Sequence, residues 1–342
     1  MKTKKTLCVC AFLVFLSGFL FAAEYVDGRI RLVINENTGR FSLYFMTDIA
    51  REQYEPFFSS EDPRTSFLVL MANDRVYRMG ESSAFRTRLA GTPSNPALTF
   101  ESSFLTVTEE FTFIRTADSS LTNGVRITVS IANRGEQQVQ AGLRFLIDTS
   151  LGEASANHFS TEQRQISSET RIDSHATDTH WISKNDTLAL MGGIQGNNIT
   201  RPDEVIFGNW KRLNDTPWKY NYVAGRNFNL LPYSIGDSAV CYYFEPAAIQ
   251  KGGIRLVSMV LASEDENGFL GGDNTPVDIS RLIRESAESE PDLDNMIRTD
   301  LVSLRDLLKR IDEYIASGEI PDDELAAIVL VLNKFKAKYG IK

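Results

Sequence analysis

Cysteine is nearly absent from this chain. Of three in 342 residues, Cys8 and Cys10 stand at the start of an N-terminal apolar run, and only Cys241 lies beyond it. A single thiol forms no intramolecular disulfide, so a folded body of this size must rest on a hydrophobic core. Cys241 alternates with its neighbours in a strand-like run and reads as a buried thiol. Histidine is equally scarce. His158, His175 and His180 are the three present, no cysteine accompanies them, and their spacing matches no zinc signature. Asp173 and Asp178 would allow a loose oxygen and nitrogen site, but polar loop histidines are the simpler reading, and no metal is expected. A phosphate-cradling glycine loop, an HExxH helix and a GxSxG elbow are all missing, so no cofactor is expected. Positive charge is also short. The net charge is −9, and removal of Lys2, Lys4 and Lys5 with a leader takes it to −12. Nucleic acid is therefore excluded as a partner, because affinity for phosphates comes from Lys and Arg.

Long apolar runs are missing too, with one exception at the N-terminus. Three lysines precede the apolar stretch Leu7 to Phe21, and Ala22-Ala23 supplies small residues before Glu24. That pattern predicts a signal peptide over residues 1–23 and an exported chain, periplasmic or secreted, with no membrane span once it is cut. A retained anchor is the competing reading, because Phe21 is bulky for a cleavage site.

Alternation dominates residues 24–263. From Gly124, Val125, Ile127, Val129 and Ile131 share one face. After Asn133-Arg134-Gly135-Glu136 the period resumes through Val139, Ala141, Leu143, Phe145 and Ile147, up to Asp148. This predicts a hairpin of two antiparallel strands with one buried face, covered by a second sheet. Ile30, Leu32 and Ile34, then Phe41, Leu43 and Phe45, predict an earlier hairpin around Asn35 to Gly39. Residues 48–64, with Pro56 and Pro63, read as loop. Residues 152–183 read as long loops with one or two strands. Further strand-like runs lie at 66–71, 99–107, 109–114, 187–191, 204–207, 238–243 and 254–261, and no helical period occurs before residue 264. The expected fold is mainly β, a large antiparallel two-sheet sandwich over residues 24–263.

Residues 264–291 change character. Gly268, Gly271, Gly272 and Pro276 interrupt a strongly acidic stretch, which reads as a solvated linker. Over 292–340, Ile297, Leu301, Leu304, Leu308, Ile311 and Ile315 form one heptad stripe. Leu325, Ile328, Leu332, Phe335 and Tyr339 form a second, beyond Gly318 and Pro321. The two stripes predict a helical hairpin, suited to docking a protein partner.

Two groups of residues carry candidate chemistry. Asp148 closes a strand and is followed by Glu153 and His158. A carboxylate pair beside an imidazole suits acid–base work, while a turn aspartate accepting backbone hydrogen bonds is the plainer alternative. The run FGNWKRLNDTPWKYNY presents Trp210, Trp218, Tyr220 and Tyr222 around Asn214 and Asp215. Sugar rings stack on such rings and their hydroxyls bond to such amides and carboxylates, so a loop showing both tryptophans on an exposed rim would bind carbohydrate. Burial of both tryptophans against the sandwich is the competing reading.

The segments DGRIRLVINENTGRFSLY, GLRFLIDTSLG, FGNWKRLNDTPW and DSAVCYYFEP resemble exported bacterial proteins of the spirochaete type. Their β-rich part is similar to the galactose-mutarotase-like supersandwich. The resemblance covers residues 24–263 and implies that fold. Mutarotases use a His and Glu constellation in a cleft of the sandwich. No position here matches it residue by residue, so the resemblance carries no catalytic role. The leading expectation is an exported, non-catalytic envelope protein whose sandwich binds carbohydrate or another envelope component. The alternatives are an epimerase- or lyase-type enzyme using Asp148, Glu153 and His158, and a purely structural envelope or appendage protein.

Overall fold

The computed structural model describes residues 22–59, 64–116, 119, 121–264 and single positions between Leu307 and Lys336. The leader, the linker and most of the C-terminal stripes lie outside the described residues. The first hairpin forms as expected. Strands β1 (Ala22–Asp27), β2 (Ile30–Asn35), β3 (Arg40–Asp48) and β4 (Gln53–Pro56) pair in that order into a small sheet. The chain continues through β5 (Phe67–Ala72), β6 (Arg75–Arg78), β7 (Arg86–Thr92), β8 (Asn95–Glu101) and β9 (Leu105–Ile114). Next come β10 (Gly124–Asn133) and β11 (Val139–Ile147), then β12 (Phe159–Thr161), β13 (Gln165–Ile166), β14 (Thr170–Asp173) and β15 (His180–Lys184). Strands β16 (Ala189–Gly193) and β17 (Glu204–Asn209), helix α1 (Trp210–Asp215), β18 (Ser238–Ile249) and β19 (Ile254–Ser263) complete the series.

The fold is mainly β, and these strands make two larger antiparallel sheets. One has nine strands in the order β13-β12-β15-β16-β19-β10-β9-β8-β7. The other has six, in the order β14-β17-β18-β11-β5-β6. The alternating strands β10 and β11 are where the periodicity puts them, but they are not a hairpin. β10 pairs with β9 and β19, whereas β11 pairs with β18 and β5. The chain crosses from one sheet to the other between them, and β18 and β19 repeat the crossing alongside. Alternation fixes which face of a strand is buried but not which strand lies beside it, so two facing strands and two paired strands look alike in sequence. Asn133 joins the two crossings. Its N–H donates to Gly253 O at 3.0 Å, and its side-chain amide donates to Gln137 O and Ile249 O.

The core lies between the two large sheets, where Val125, Ile127, Val129 and Ile131 meet Leu143, Phe145, Ile147, Tyr242 and Phe244. The small sheet adds Ile30, Leu32, Ile34, Phe41 and Leu43 to the same core. Phe41 of β3 packs edge-on against Phe111 of β9 at 4.7 Å and lies 6.0 Å from Phe145 of β11, so the small sheet touches both large ones. Three sheets rather than two therefore enclose the core. Residues 48–64 are not all loop, because β4 pairs with β3 and Phe57 and Phe58 are buried. Residues 152–183 hold four strands. Such two- to five-residue strands are too short to show a period. Among the described C-terminal positions the backbone is helical at Leu307, Leu308, Ile311, Tyr314, Ile315 and Ile328 to Asn333. There Leu307 and, of the expected stripes, Ile328 are buried, while Leu308, Ile315 and Leu325 are exposed.

Candidate functional site: carboxyls and an imidazole at one end of the sandwich

β11 ends where its neighbour β18 begins, since Ile147 lies opposite Val240. Asp148 therefore arrives beside Asp237 and Ser238. The loop after Asp148 is held from below by the buried hydroxyl of Ser183. It accepts from Thr149 Oγ1 at 2.9 Å and from Gly152 N at 3.1 Å, and donates to His158 O at 3.1 Å. Gly152 lies so close to the His158 carbonyl that a Cβ there has no room. This stitching turns Glu153 and His158 toward the start of β18. The Ser238 N–H donates to Glu153 Oε1 at 2.9 Å, and Ser238 Oγ lies 2.8 Å from His158 Nδ1. The three residues picked from the sequence, Asp148, Glu153 and His158, thus meet, with Asp237 and Ser238 added.

Asp148 is 5% exposed. Its carboxyl accepts from Ser59 Oγ at 2.9 Å, and its N–H donates to Ser66 Oγ at 2.9 Å. Burial pushes that carboxyl up to about 6, with the charge of Asp237 adding and the Ser59 and Thr65 hydroxyls opposing. Glu153 is pushed up to about 7, chiefly by burial and then by the charges of Asp148 and Asp237, against the Ser238 N–H. Asp237 is raised by burial, opposed by the Ser234 hydroxyl. Burial lowers His158 and keeps its imidazole neutral, beside the Phe228 ring at 4.8 Å. Among the described residues no lysine or arginine pairs with any of the three carboxyls. Asp148 and Glu153 therefore take up protons close to neutral pH, so the cluster offers donors and acceptors together while keeping part of its negative charge.

Among solved structures, the chain's neighbours include galactose mutarotase-like proteins at low sequence identity. A galactose mutarotase related enzyme from Lactobacillus acidophilus is 7% identical over 72% of this chain and 98% of its own, with a TM-score of 0.44. A galactose mutarotase-like protein from Lactobacillus casei is 8% identical over 71% and 100%, with a TM-score of 0.42. A TPR-domain containing protein from Parabacteroides distasonis is 9% identical over 78% and 48%, with a TM-score of 0.40. No family model and no curated protein sequence matches the chain.

The aromatic run is arranged differently from the expected rim. It begins as helix α1, not as a hairpin or loop, with Asn209 capping it by accepting from Arg212 N. Leu213, Trp218 and Tyr220 then close a second core on the outer face of the six-stranded sheet, over Leu146, Ile206, Cys241 and Tyr243. Trp218 is only 8% exposed. Tyr220 is equally enclosed, and its hydroxyl donates to the buried Glu169 at 2.6 Å, where Arg226 and Arg212 also bond. Tyr222 is half-buried under Arg171. Asn214 accepts from Arg78, and Asp215 pairs with Lys211. The rim fails because β17 and β18 carry apolar residues on both faces, with Ile206, Ala239, Cys241 and Tyr243 on the outer one, and that face needs a cover. Trp210 alone stays near the candidate site, its N–H on Asp237 O at 3.2 Å and its indole N–H on Thr65 O at 2.9 Å. Of the histidines, His180 faces Glu162 at 3.0 Å and His175 is exposed, both apart from His158.

Sequence reasoning missed Asp237, Ser238, Ser59 and Asn209. Asn209 is fully buried, and its amide donates to Phe228 O, Ser234 Oγ and Asp237 O, which braces the loop leading into β18. An Asp-Ser pair directly before the strand of Cys241 was the one local signal for the first two.

Proposed function

We propose that this is an exported, non-catalytic binding protein of the cell envelope that takes a carbohydrate at the Asp148, Glu153, Asp237 end of its sandwich. The observation that carries the reading is the convergence of three carboxyls whose proton affinity burial raises, an imidazole and a serine hydroxyl at one end of the β body. Sugar hydroxyls both donate and accept, and a site of mixed donors and acceptors fits them. Asp148 is enclosed and organises the loop, so Glu153 and Asp237 are the groups a ligand touches. The C-terminal helices are proposed as the docking element for a protein partner.

Calorimetric titration with neutral mono- and oligosaccharides tests the ligand. Saturable binding weakened at least about tenfold by Asp237→Asn supports the reading, since a bond to a charged group contributes about 1.5–3 kcal/mol. Absence of binding across the set removes it. The second reading is an acid–base enzyme, favoured by Asp148 and Glu153 lying near 6 and 7. NMR of the same sugars over time separates the two. Interconversion that disappears in Glu153→Gln with the melt unchanged would make the protein an enzyme.

A further inference from the structure

Beside the carboxyl cluster, the turn from Leu230 to Gly236 carries the most exposed large apolar side chains among the described residues. Leu231 is 71% exposed, Tyr233 75% and Ile235 78%. They stand at alternate positions and all face solvent. The turn is not slack. Leu230 and Ser234 exchange backbone hydrogen bonds at 2.9 and 3.0 Å, and Tyr233 N donates to Leu230 O at 2.7 Å. Asn209 holds Ser234 Oγ at 3.0 Å, and Gly236 N donates to Asn229 Oδ1 at 2.7 Å. A braced turn that keeps three apolar side chains in water is preorganised for something that removes them from water.

We infer that the Leu230 to Gly236 turn is a membrane-contact tip that enters the interface of an uncharged lipid surface. Area argues against a protein partner as the main occupant. The three side chains offer on the order of 400 Å², while a stable protein interface takes about 800 Å² from each side. Within the turn, exposed Pro232 and half-buried Leu230 add a little apolar area, while Asn229, Ser234, Gly236 and Asp237 add none, so the total stays below that figure. The shape is a projecting wedge, which suits a soft boundary. Leu and Ile enter the acyl layer and Tyr stays at the headgroup level. Charge selects the lipid. Glu153 and Asp237 flank the turn without a basic partner among the described residues, and the chain is net −9. Anionic headgroups would repel this end.

The test uses the full chain. Tyr233→Trp puts an indole at the tip, and phosphatidylcholine vesicles brominated on the acyl chains quench it only where the tip enters the acyl layer. The expected result is quenching of the added indole and a blue shift, measured against the parent chain with its own three tryptophans. Adding Leu231→Ser and Ile235→Ser should abolish the quenching and weaken vesicle binding through the tip by about tenfold or more. Both positions are solvent-exposed, so the fold is not at stake. An unquenched indole overturns the inference however the rest of the chain is held. So does quenching that survives the two serines, or quenching that occurs only on phosphatidylglycerol vesicles.

Discussion

Arg144 shows what a single outward-facing strand residue decides. It is 1% exposed on β11, with no carboxylate partner among the described residues. Its guanidinium donates to Cys241 Sγ at 3.1 Å and to the carbonyls of Leu213 and Thr216, at the end of α1. It thereby ties the Trp218 cover to the sheet. Arg144→Met should destabilise the protein by about 3 kcal/mol, because buried carbonyls lose their donor. Urea unfolding followed by Trp218 emission measures this. A loss below about 1 kcal/mol would mean the cover holds without it. Glu109 is the opposite case, a buried carboxyl whose Oε1 has no hydrogen-bond partner, pushed up to about 8 by burial. Glu109→Gln should keep the fold and the melt at pH 5. The alternation of β9 puts position 109 on the buried face, so its location was legible. Its lack of a partner was not, because that depends on what the facing sheet brings.

At the level of elements, Asn133 joins the two sheet crossings that make the sandwich. Asn133→Ala leaves the buried carbonyl of Ile249 short of a donor and should shift stability by about 2 kcal/mol. The urea midpoint with an unchanged slope is the readout. A changed slope would show that the crossings separate before the sheets do. The strands themselves were legible, since β2, β3, β10 and β11 lie where their period places them. Helix α1 was not, because its six residues are held by the Asn209 cap and by the apolar face beneath Leu213 rather than by a helical period. The two heptad stripes, proposed as a helical hairpin, stand apart in sequence from this sandwich, whose last strand ends at Ser263. A chain ending there should keep a β-type circular dichroism spectrum and a cooperative melt. Aggregation of the shortened chain would show that the helices belong to the main core.

For the whole molecule, three carboxyls raised by burial, those of Asp148 and Glu109 enclosed and that of Glu153 half-buried, dominate the response to pH. Asp148, Glu153 and Glu109 start from 3.8, 4.5 and 4.5 in the unfolded chain and rise to about 6, 7 and 8 when folded. Through these three groups the folded state holds more protons than the unfolded state between about pH 4 and 8, with His158, lowered by burial, acting in the opposite sense, and stability falls as pH rises through that window. The urea midpoint should be higher at pH 5 than at pH 8, and Glu109→Gln should flatten the upper part of the decline. A midpoint that rises toward pH 8 would contradict this. Export belongs to the same scale. Cleavage after Ala23 would leave Glu24 to Asp27 of β1 still paired with Ile30 to Val33. Intact-mass analysis of the exported chain should find the new N-terminus there, and a retained Met1 would exclude it.

The mainly β class, the positions of the long strands, the buried face of each and the buried thiol of Cys241 were all in the sequence. Each comes from local alternation or from a count, and needs no knowledge of distant residues. Pairing was decided only in three dimensions. Glu153 finds Ser238 across 85 residues, and His158 finds it across 80. Asp148 has its raised acidity constant only because β11 lies against β18. Trp218 is core rather than rim because the outer face of the same sheet is apolar. Contacts of that range depend on which strand lies beside which, and a period of two is blind to the neighbour's identity.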